Sequence, residues 1–503
     1  MSRFSLRCPR CLAGLYVAAL GLAAVGSSSA QEPTALQFAI QTEKLLVSAI
    51  ASAEKSVVAI GRDGFREPVA RVPVPVGPGG DLRRLRPRVA RPNPEDLDYV
   101  HDEFATGVVV DSNDSRTLIL TNYHVLGDLS KENERSRFYV TTIERKKYVA
   151  KIHAADPYND LAILRISATG LKPIKMGDAS KMKKGRFVIA LGNPYAIARD
   201  GQASASFGIV ANIARKAGSF PEESPKKKKP TLHHYGTLIQ TDVKLMLGTS
   251  GGPLLNLQGE MIGLTTAAAA LVGYEKSSGY AIPVNDTFRR VLALLKKRDE
   301  VKFGFLGISP ANLSPAKIRD GAQGIRVDGV VFGTPAAKSN GLKAEDIITH
   351  VAGQPVYESD DLIREISKRP VDSVVTIDVL RRDAPRRVTV RLTKAPVIGR
   401  KIYNRPPSWR GLRVDYPTAV IRLTDSSLGG VGPCVAITEV ERDSPAWQAG
   451  LREGMLITAV DKAKVDSPSR FRSALANKPG AVKVQISDPQ RRGPGRSVTV
   501  RAE

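Results

Sequence analysis

Hydrophobic residues along this chain switch between two periods, and the switches mark its parts. From Ala35 to Ala51, Leu36, Ile40, Leu45, Val47 and Ile50 fall at helical spacing, which predicts an amphipathic helix. From Ser56 the pattern becomes short apolar runs punctuated by turns: Ser56–Gly61, Thr106–Val110, Thr117–Leu120, Tyr148–His153, Phe187–Leu191, Phe207–Ile213 and Glu260–Thr265. Short strands with frequent turns, recurring through Ile282, argue an all-β double barrel. Residues 62–103 interrupt them with a Pro-, Gly- and Arg-rich stretch that cannot bury an apolar face and reads as a long mobile loop. Helical period returns over Thr287–Arg298, where Phe288, Val291, Leu292 and Leu295 share a face behind a cap at Val284-Asn285-Asp286.

Beyond that helix the sequence repeats itself. Thr334-Pro335-Ala336-Ala337, Gly341-Leu342-Lys343 and Ile347-Ile348-Thr349 correspond to Ser444-Pro445-Ala446-Trp447, Gly450-Leu451-Arg452 and Leu456-Ile457-Thr458. Spaced self-similarity of this kind implies two copies of one fold. The expected organisation is a leader over 1–30, a helical segment over 31–55, a β domain over 56–300 and repeats over 301–395 and 409–503. Residues 396–408, with Arg405-Pro406-Pro407, form a semi-rigid linker.

Composition refines this picture. A chain of 503 residues exceeds one domain, and 42% hydrophobic content suffices for several cores. Arg3, Arg7 and Arg10 precede an apolar stretch from Leu12 to Val25 and a small-residue run ending at Ala30, the pattern of a secretory signal peptide cut after Ala30. The competing reading, an uncleaved anchor, needs about 20 apolar residues and finds fewer. Cleavage removes Cys8 and Cys11, so the exported protein keeps Cys434, which reads as a small buried residue. His233-His234 stands alone without cysteine, so no metal site and no cofactor are expected. The net charge of +25 suits an anionic envelope surface. The lysine run Lys226–Lys229 lacks interleaved aromatics and reads as a solvated loop, with no specific nucleic-acid partner.

The chemistry concentrates in three places. Gly248-Thr249-Ser250-Gly251-Gly252-Pro253-Leu254 puts one serine among glycines, which allow a tight turn and backbone N–H groups aimed at an oxyanion. His124 follows the apolar run Thr117–Leu120, at the end of a strand. Asp160 sits where a turn meets the run Leu161–Leu164, whereas Asp156, before Pro157, reads as a turn cap. Among six histidines, His101, His124, His153, His233, His234 and His350, His124 has the context of a general base. The chain order His, Asp, Ser is that of chymotrypsin-like hydrolases.

Thr121–Val125, Asp160-Leu161-Ala162, Gly192-Asn193-Pro194, Ile239–Asp242 and Gly248–Leu254 resemble the HtrA (DegP-like) family of serine proteases, a likeness covering nearly all the chain after its first thirty residues. It implies a chymotrypsin-like double barrel with His124, Asp160 and Ser250 as a triad, an oxyanion hole from the N–H groups of Gly248 and Ser250, and a homotrimer or higher oligomer. Leu245 and Leu264-Thr265-Thr266 are expected to shape the primary specificity pocket for small or aliphatic side chains. The repeats resemble PDZ domains of α+β type, which hold a peptide C-terminus beside a strand edge. Their carboxylate loops would be Phe305-Leu306-Gly307-Ile308 and Arg410-Gly411-Leu412-Arg413, and their groove helices 360–368 and 468–476. By family position, 62–103 corresponds to a loop that crosses between subunits and 214–236 to one that senses a PDZ domain. Departures from the family pattern are Thr249 before the serine, Tyr123 before the histidine, Leu245-Met246-Leu247 in the preceding turn, and half of a Gly-Asp pair in each repeat, at Glu345-Asp346 and Gly454-Met455.

The resulting expectation is an exported, ATP-independent serine endopeptidase acting on misfolded or exposed polypeptides in envelope quality control, its PDZ domains recruiting substrate or relaying activation. No P-loop motif appears in the sequence. Two other readings compete: a catalytically weak PDZ-containing chaperone, motivated by Leu247 and Thr249, and a polyanion-binding envelope scaffold, motivated by charge.

Overall fold

The computed structural model of the protein describes residues 35–64, 93–96, 99–127, 136–193, 201–215, 236–266, 279–331, 334–337, 341–396, 404, 406–420, 434–487 and 495–502. The leader, most of the 62–103 stretch, the lysine run and much of the linker fall outside them. The chain divides into units 1–44 and 45–503, the boundary lying inside helix α1 (Ala35–Glu54). In the second unit α1 buries two small residues, Ala49 and Ala53, in a cluster with Phe288, Val291 and Leu292.

Twelve antiparallel strands build two closed barrels. The first contains β1 (Val57–Asp63), β2 (Glu103–Ser112), β3 (Thr117–Asn122), β4 (Arg137–Thr141), β5 (Lys147–Asp156) and β6 (Leu161–Ile166), in the order β1-β2-β3-β6-β5-β4. The second contains β7 (Phe187–Gly192), β8 (Ser204–Arg215), β9 (Leu238–Thr241), β10 (Pro253–Leu255), β11 (Met261–Thr266) and β12 (Gly279–Pro283), in the order β10-β11-β12-β9-β8-β7. Closure leaves neither sheet an open edge. Strand period decides which core each side chain joins. Ile119 enters the first barrel with Ile60, Val109 and Val140, while Leu118 and Leu120 face the shared cluster with Ile189, Leu191 and Leu255. Helix α2 (Asp286–Lys296) seals that cluster with Phe288, Val291, Leu292 and Leu295, and the Asn285 side chain caps it by accepting the Phe288 N–H at 3.0 Å.

The two repeats fold alike, each a sheet whose first strand lies at an edge beside a helix. In one, Ile308–Asn312 is the edge strand and Ser359–Ser367 the helix; in the other they are Leu412–Asp415 and Pro468–Leu475. Asp346 of the first repeat takes Arg381 bidentately, at 2.7 Å to each oxygen, and so is structural. Cys434 is buried, and that burial pushes its thiol up to about 11. Lys394 is the unexpected member of the fold. Its side chain is only 2% exposed and pairs with Glu300, just after α2, and with Asp415 of the second repeat. A buried ammonium requires such partners, and these tie the barrels to both repeats.

Candidate active site

The register of the first barrel assembles the histidine and aspartate. Asn122 on β3 lies opposite Leu161 on β6, so the residues just beyond, in the tight turn Tyr123–Leu126 and the β5–β6 turn, come together. Asp156 shapes the second turn by accepting the Tyr158 N–H at 3.0 Å, the capping role its place before Pro157 suggests. Asp160 adopts φ of +53°, a left-handed value that aspartate tolerates. Its Oδ1 accepts the His124 N–H at 2.9 Å, its Oδ2 lies 2.9 Å from His124 Nδ1, and Thr266 Oγ1 donates to the same Oδ2 at 3.4 Å. Asp160 is 9% exposed and the imidazole 44%. A buried carboxylate thus accepts the Nδ1 proton and directs Nε2 toward the cleft.

Ser250 sits on a loop stitched to both barrels. The Thr249 N–H donates to the Met246 carbonyl at 3.1 Å and Gly248 has φ of +97°, the signature of a type II turn. A Cβ at Gly248 would meet the Asn193 carbonyl at 2.3 Å, and one at Gly251 the Thr106 carbonyl at 2.2 Å, so glycine is required at both. Thr106 Oγ1 donates to the Gly248 carbonyl at 2.7 Å and accepts the Asn193 N–H at 2.8 Å. The Thr106 N–H donates to the Ser250 carbonyl at 2.9 Å. Thr249 Oγ1 closes the same turn by donating to Met246 at 2.7 Å, so this departure from the family pattern is satisfied locally. Tyr123, another departure, packs against the first-barrel core. A serine on a glycine turn beside a carboxylate-held imidazole is the chemistry of a nucleophile and its base.

The residues expected to shape the specificity pocket are buried or half-buried. Leu264 and Thr265 are fully buried and Thr266 nearly so. They lie on β11, between β10 and β12. Thr265 Oγ1 donates to the Thr249 and Gly252 carbonyls at 2.6 and 3.0 Å, Thr266 reaches Asp160, and Leu264 joins the shared core. Leu245 is half-buried against the second-barrel core.

Sequence reasoning missed a cavity of about 240 Å³ beside His124, Gly248 and Ser250, lined by Ile60, Phe104, Ala105, Val125 and Leu247. It also missed a second imidazole–carboxylate pair: His101 Nδ1 lies 3.1 Å from both Asp63 oxygens. That ring stacks on Tyr139 with centroids 4.9 Å apart, and its Nε2 faces Lys147 Nζ at 3.5 Å in place of a hydroxyl. Burial holds its pKa below the ordinary value despite Asp63.

The two Gly loops of the repeats differ in how they are used. In the first, Gly307 has φ of +86°, its carbonyl accepts the Val331 N–H at 2.8 Å, and it leads into the edge strand at Ile308; Leu306 is buried and Phe305 half-buried. In the second, the N–H of Leu412, next to Gly411, already donates to the Trp409 carbonyl at 2.8 Å. The Arg410 guanidinium is spent on the carbonyls of Lys478, Pro479, Gly480, Val500 and Arg501.

Comparison with known proteins matches this architecture. Residues 105–264 match a trypsin-like peptidase domain, and 304–392 and 436–485 each match a PDZ domain. The chain is 31% identical over 386 residues to the periplasmic pH-dependent serine endoprotease DegQ of Escherichia coli, covering 76% of this chain and 77% of that one. The chain belongs to the HtrA/DegP-like family of serine endoproteases. A second relative, the periplasmic serine endoprotease DegP of Salmonella typhimurium, is 27% identical, covering 76% of this chain and 73% of that one. Among solved structures, the HtrA-type protease AlgW with a decapeptide shares the fold, with a TM-score of 0.50 and 21% identity over 70% of this chain and 98% of that one. As a member of this family the protein has the expected fold: chymotrypsin-like double barrels followed by two PDZ domains.

Proposed function

We propose that this protein is an exported, ATP-independent endopeptidase that cleaves misfolded or exposed polypeptides in the cell envelope, with Ser250, His124 and Asp160 as its catalytic triad. The observation that carries the reading is the 2.9 Å contact of His124 Nδ1 with a buried Asp160, beside the glycine turn of Ser250. Nε2 of His124 takes the hydroxyl proton as Ser250 Oγ bonds to the peptide carbonyl carbon, and the oxyanion is met by the N–H groups of Gly248 and Ser250. Collapse of that adduct breaks the C–N bond, the amine leaves with the proton from His124, and water then releases the acyl group by the reverse sequence. Asp160 stays ionised and holds the imidazolium. The first PDZ domain offers its edge strand Ile308–Asn312 to peptide C-termini, with Phe305–Ile308 at the carboxylate; in the second, Gly411 and Leu412 would do the same once Trp409 yields the Leu412 N–H. Leu45 and Val47 of α1 lie exposed, an apolar surface that suits a homotrimer or larger assembly. The periplasmic relatives and the charged leader support export after cleavage at Ala30.

Incubating the mature protein with a chemically unfolded protein and with its native form, without nucleotide, tests this reading. Fragments from the unfolded form alone, lost in Ser250→Ala, are expected. Binding that suppresses aggregation with no fragments under any condition would favour the chaperone reading.

A further inference from the structure

The chain approaches the carboxylate loop differently in the two PDZ domains. In the first, Phe305 pairs with Thr393, so the approaching chain is held by the domain's last strand, Thr393–Lys394. In the second, the corresponding Trp409 pairs with Leu412 instead: its N–H donates to the Leu412 carbonyl at 2.9 Å, and its carbonyl accepts the Leu412 N–H at 2.8 Å. Arg410 and Gly411 between them have φ of +51° and +76°, the left-handed pair of a type I′ hairpin turn. A Cβ at Gly411 would meet that of Ser444 at 2.2 Å, so glycine is required there. The chain therefore doubles back, and 406–409 run toward the loop, antiparallel to the edge strand Leu412–Asp415 that leaves it. A peptide added to this edge with its C-terminus at the loop runs the same way.

Trp409 stands where the last side chain of such a peptide would. Its ring meets Phe471 of the helix Pro468–Leu475 edge-on, with centroids 6.2 Å apart, and packs on the domain core beside Leu412. Side chains pin the segment along its length: Arg413 donates to the Pro406 carbonyl, Ser408 Oγ to Glu441 Oε1 at 2.6 Å, and Asn404 Nδ2 to the Asp299 carbonyl at 3.2 Å. The Arg410 guanidinium lies 4.8 Å from the Trp409 ring centre while it bonds the Val500 and Arg501 carbonyls, which fixes the turn to the end of the domain. The space left between segment, strand and helix is about 170 Å³, below the roughly 300 Å³ at which ligand sites begin. Resting on the peptide-binding reading of the PDZ domains, we propose that 406–409 is a built-in ligand of the second one: a strap that fills its groove with the polarity of a peptide C-terminus and shuts it until a peptide ending in an aromatic residue displaces Trp409. A tether this short presents the strap at ~mM effective concentration, so a free peptide binds more weakly by the fraction of time the strap is away. Pro406 and Pro407 stiffen the strap and reduce the entropy lost in holding it.

Trp409 and Trp447 are the two tryptophans of the chain, so Trp447→Phe makes Trp409 emission a reporter of the strap. The probe is the peptide of sequence 402–409 with Phe for its final Trp and a free C-terminus, titrated into the full mature protein. Trp409 emission should shift to the red and become open to acrylamide quenching as the peptide binds. Pro406→Gly combined with Pro407→Gly loosens the strap and leaves Trp409 in place, and should tighten the peptide about tenfold by the same signal. Trp409→Ala, followed by anisotropy of the fluorescein-labelled peptide, should expose a site at least as tight as in the glycine variant. If Trp409→Ala fails to fold, the glycine variant decides. Equal affinity in the parent and the variants, or binding that leaves Trp409 emission unmoved throughout, overturns the strap and spares the peptide reading of the PDZ domains. No binding to the parent or to any variant overturns both.

Discussion

Thr106 shows how much of the site rests on residues far from its motif in sequence. Its hydroxyl holds the Gly248 carbonyl at 2.7 Å and the Asn193 N–H at 2.8 Å, bridging the first barrel to the Ser250 loop of the second. Thr106→Val keeps the shape but leaves two buried polar groups unpaired, each costing about 1–3 kcal/mol. The oxyanion loop should loosen, and kcat should fall by ~10² with KM little changed, as measured on a quenched peptide. The sequence motif contains Gly248 and Ser250 but not this partner, more than a hundred residues away. Sequence separation also hid the charged residues lining the cavity beside His124. Arg62 and Glu103 lie opposite each other in the β1–β2 register, yet they flank the Pro- and Gly-rich stretch whose composition made both strand ends read as loop. The motif-borne residues were legible because each turn is local; that Leu264 and Thr265 are fully buried was not, because sequence proximity to the site does not reveal which face of a strand is covered.

At the scale of elements, period was the reliable signal. The face of α2 and its Asn285 cap follow directly from spacing and capping chemistry. Asn285→Ala should cost ~1 kcal/mol locally, seen as about fivefold faster exchange of the Phe288 amide. Helix and barrel also meet at His153 of β5, whose Nε2 lies 3.0 Å from the Lys296 carbonyl. Burial lowers this histidine's pKa below its ordinary value of about 6.5. The unfolded chain therefore binds the proton first, so stability is intact above about pH 6.5 and erodes as pH falls below it. His153→Gln, which cannot titrate, should show a smaller loss of melting temperature between pH 7.5 and pH 5.5 than the wild type; an equal loss would assign the acid sensitivity elsewhere, with His101 the next candidate.

For the whole molecule, Lys394 joins three parts that the sequence presents as separate domains. Nothing in its neighbourhood distinguishes it from a surface lysine; only the convergence of Glu300 and Asp415 buries it. Lys394→Met would leave two carboxylates facing each other, at a cost of about 3–5 kcal/mol. The second PDZ domain should then detach, with faster proteolysis across 396–408, and Lys394→Met combined with Glu300→Gln and Asp415→Asn should restore much of the protection. All these features serve one chemical centre, and the most direct measurement of it is labelling of the full mature protein by a fluorophosphonate. The label should map to the peptide containing Ser250, vanish in Ser250→Ala and fall ~10⁴-fold in rate in Asp160→Asn. A label found elsewhere, or unchanged by Ser250→Ala, would contradict the assignment of Ser250 as the nucleophile.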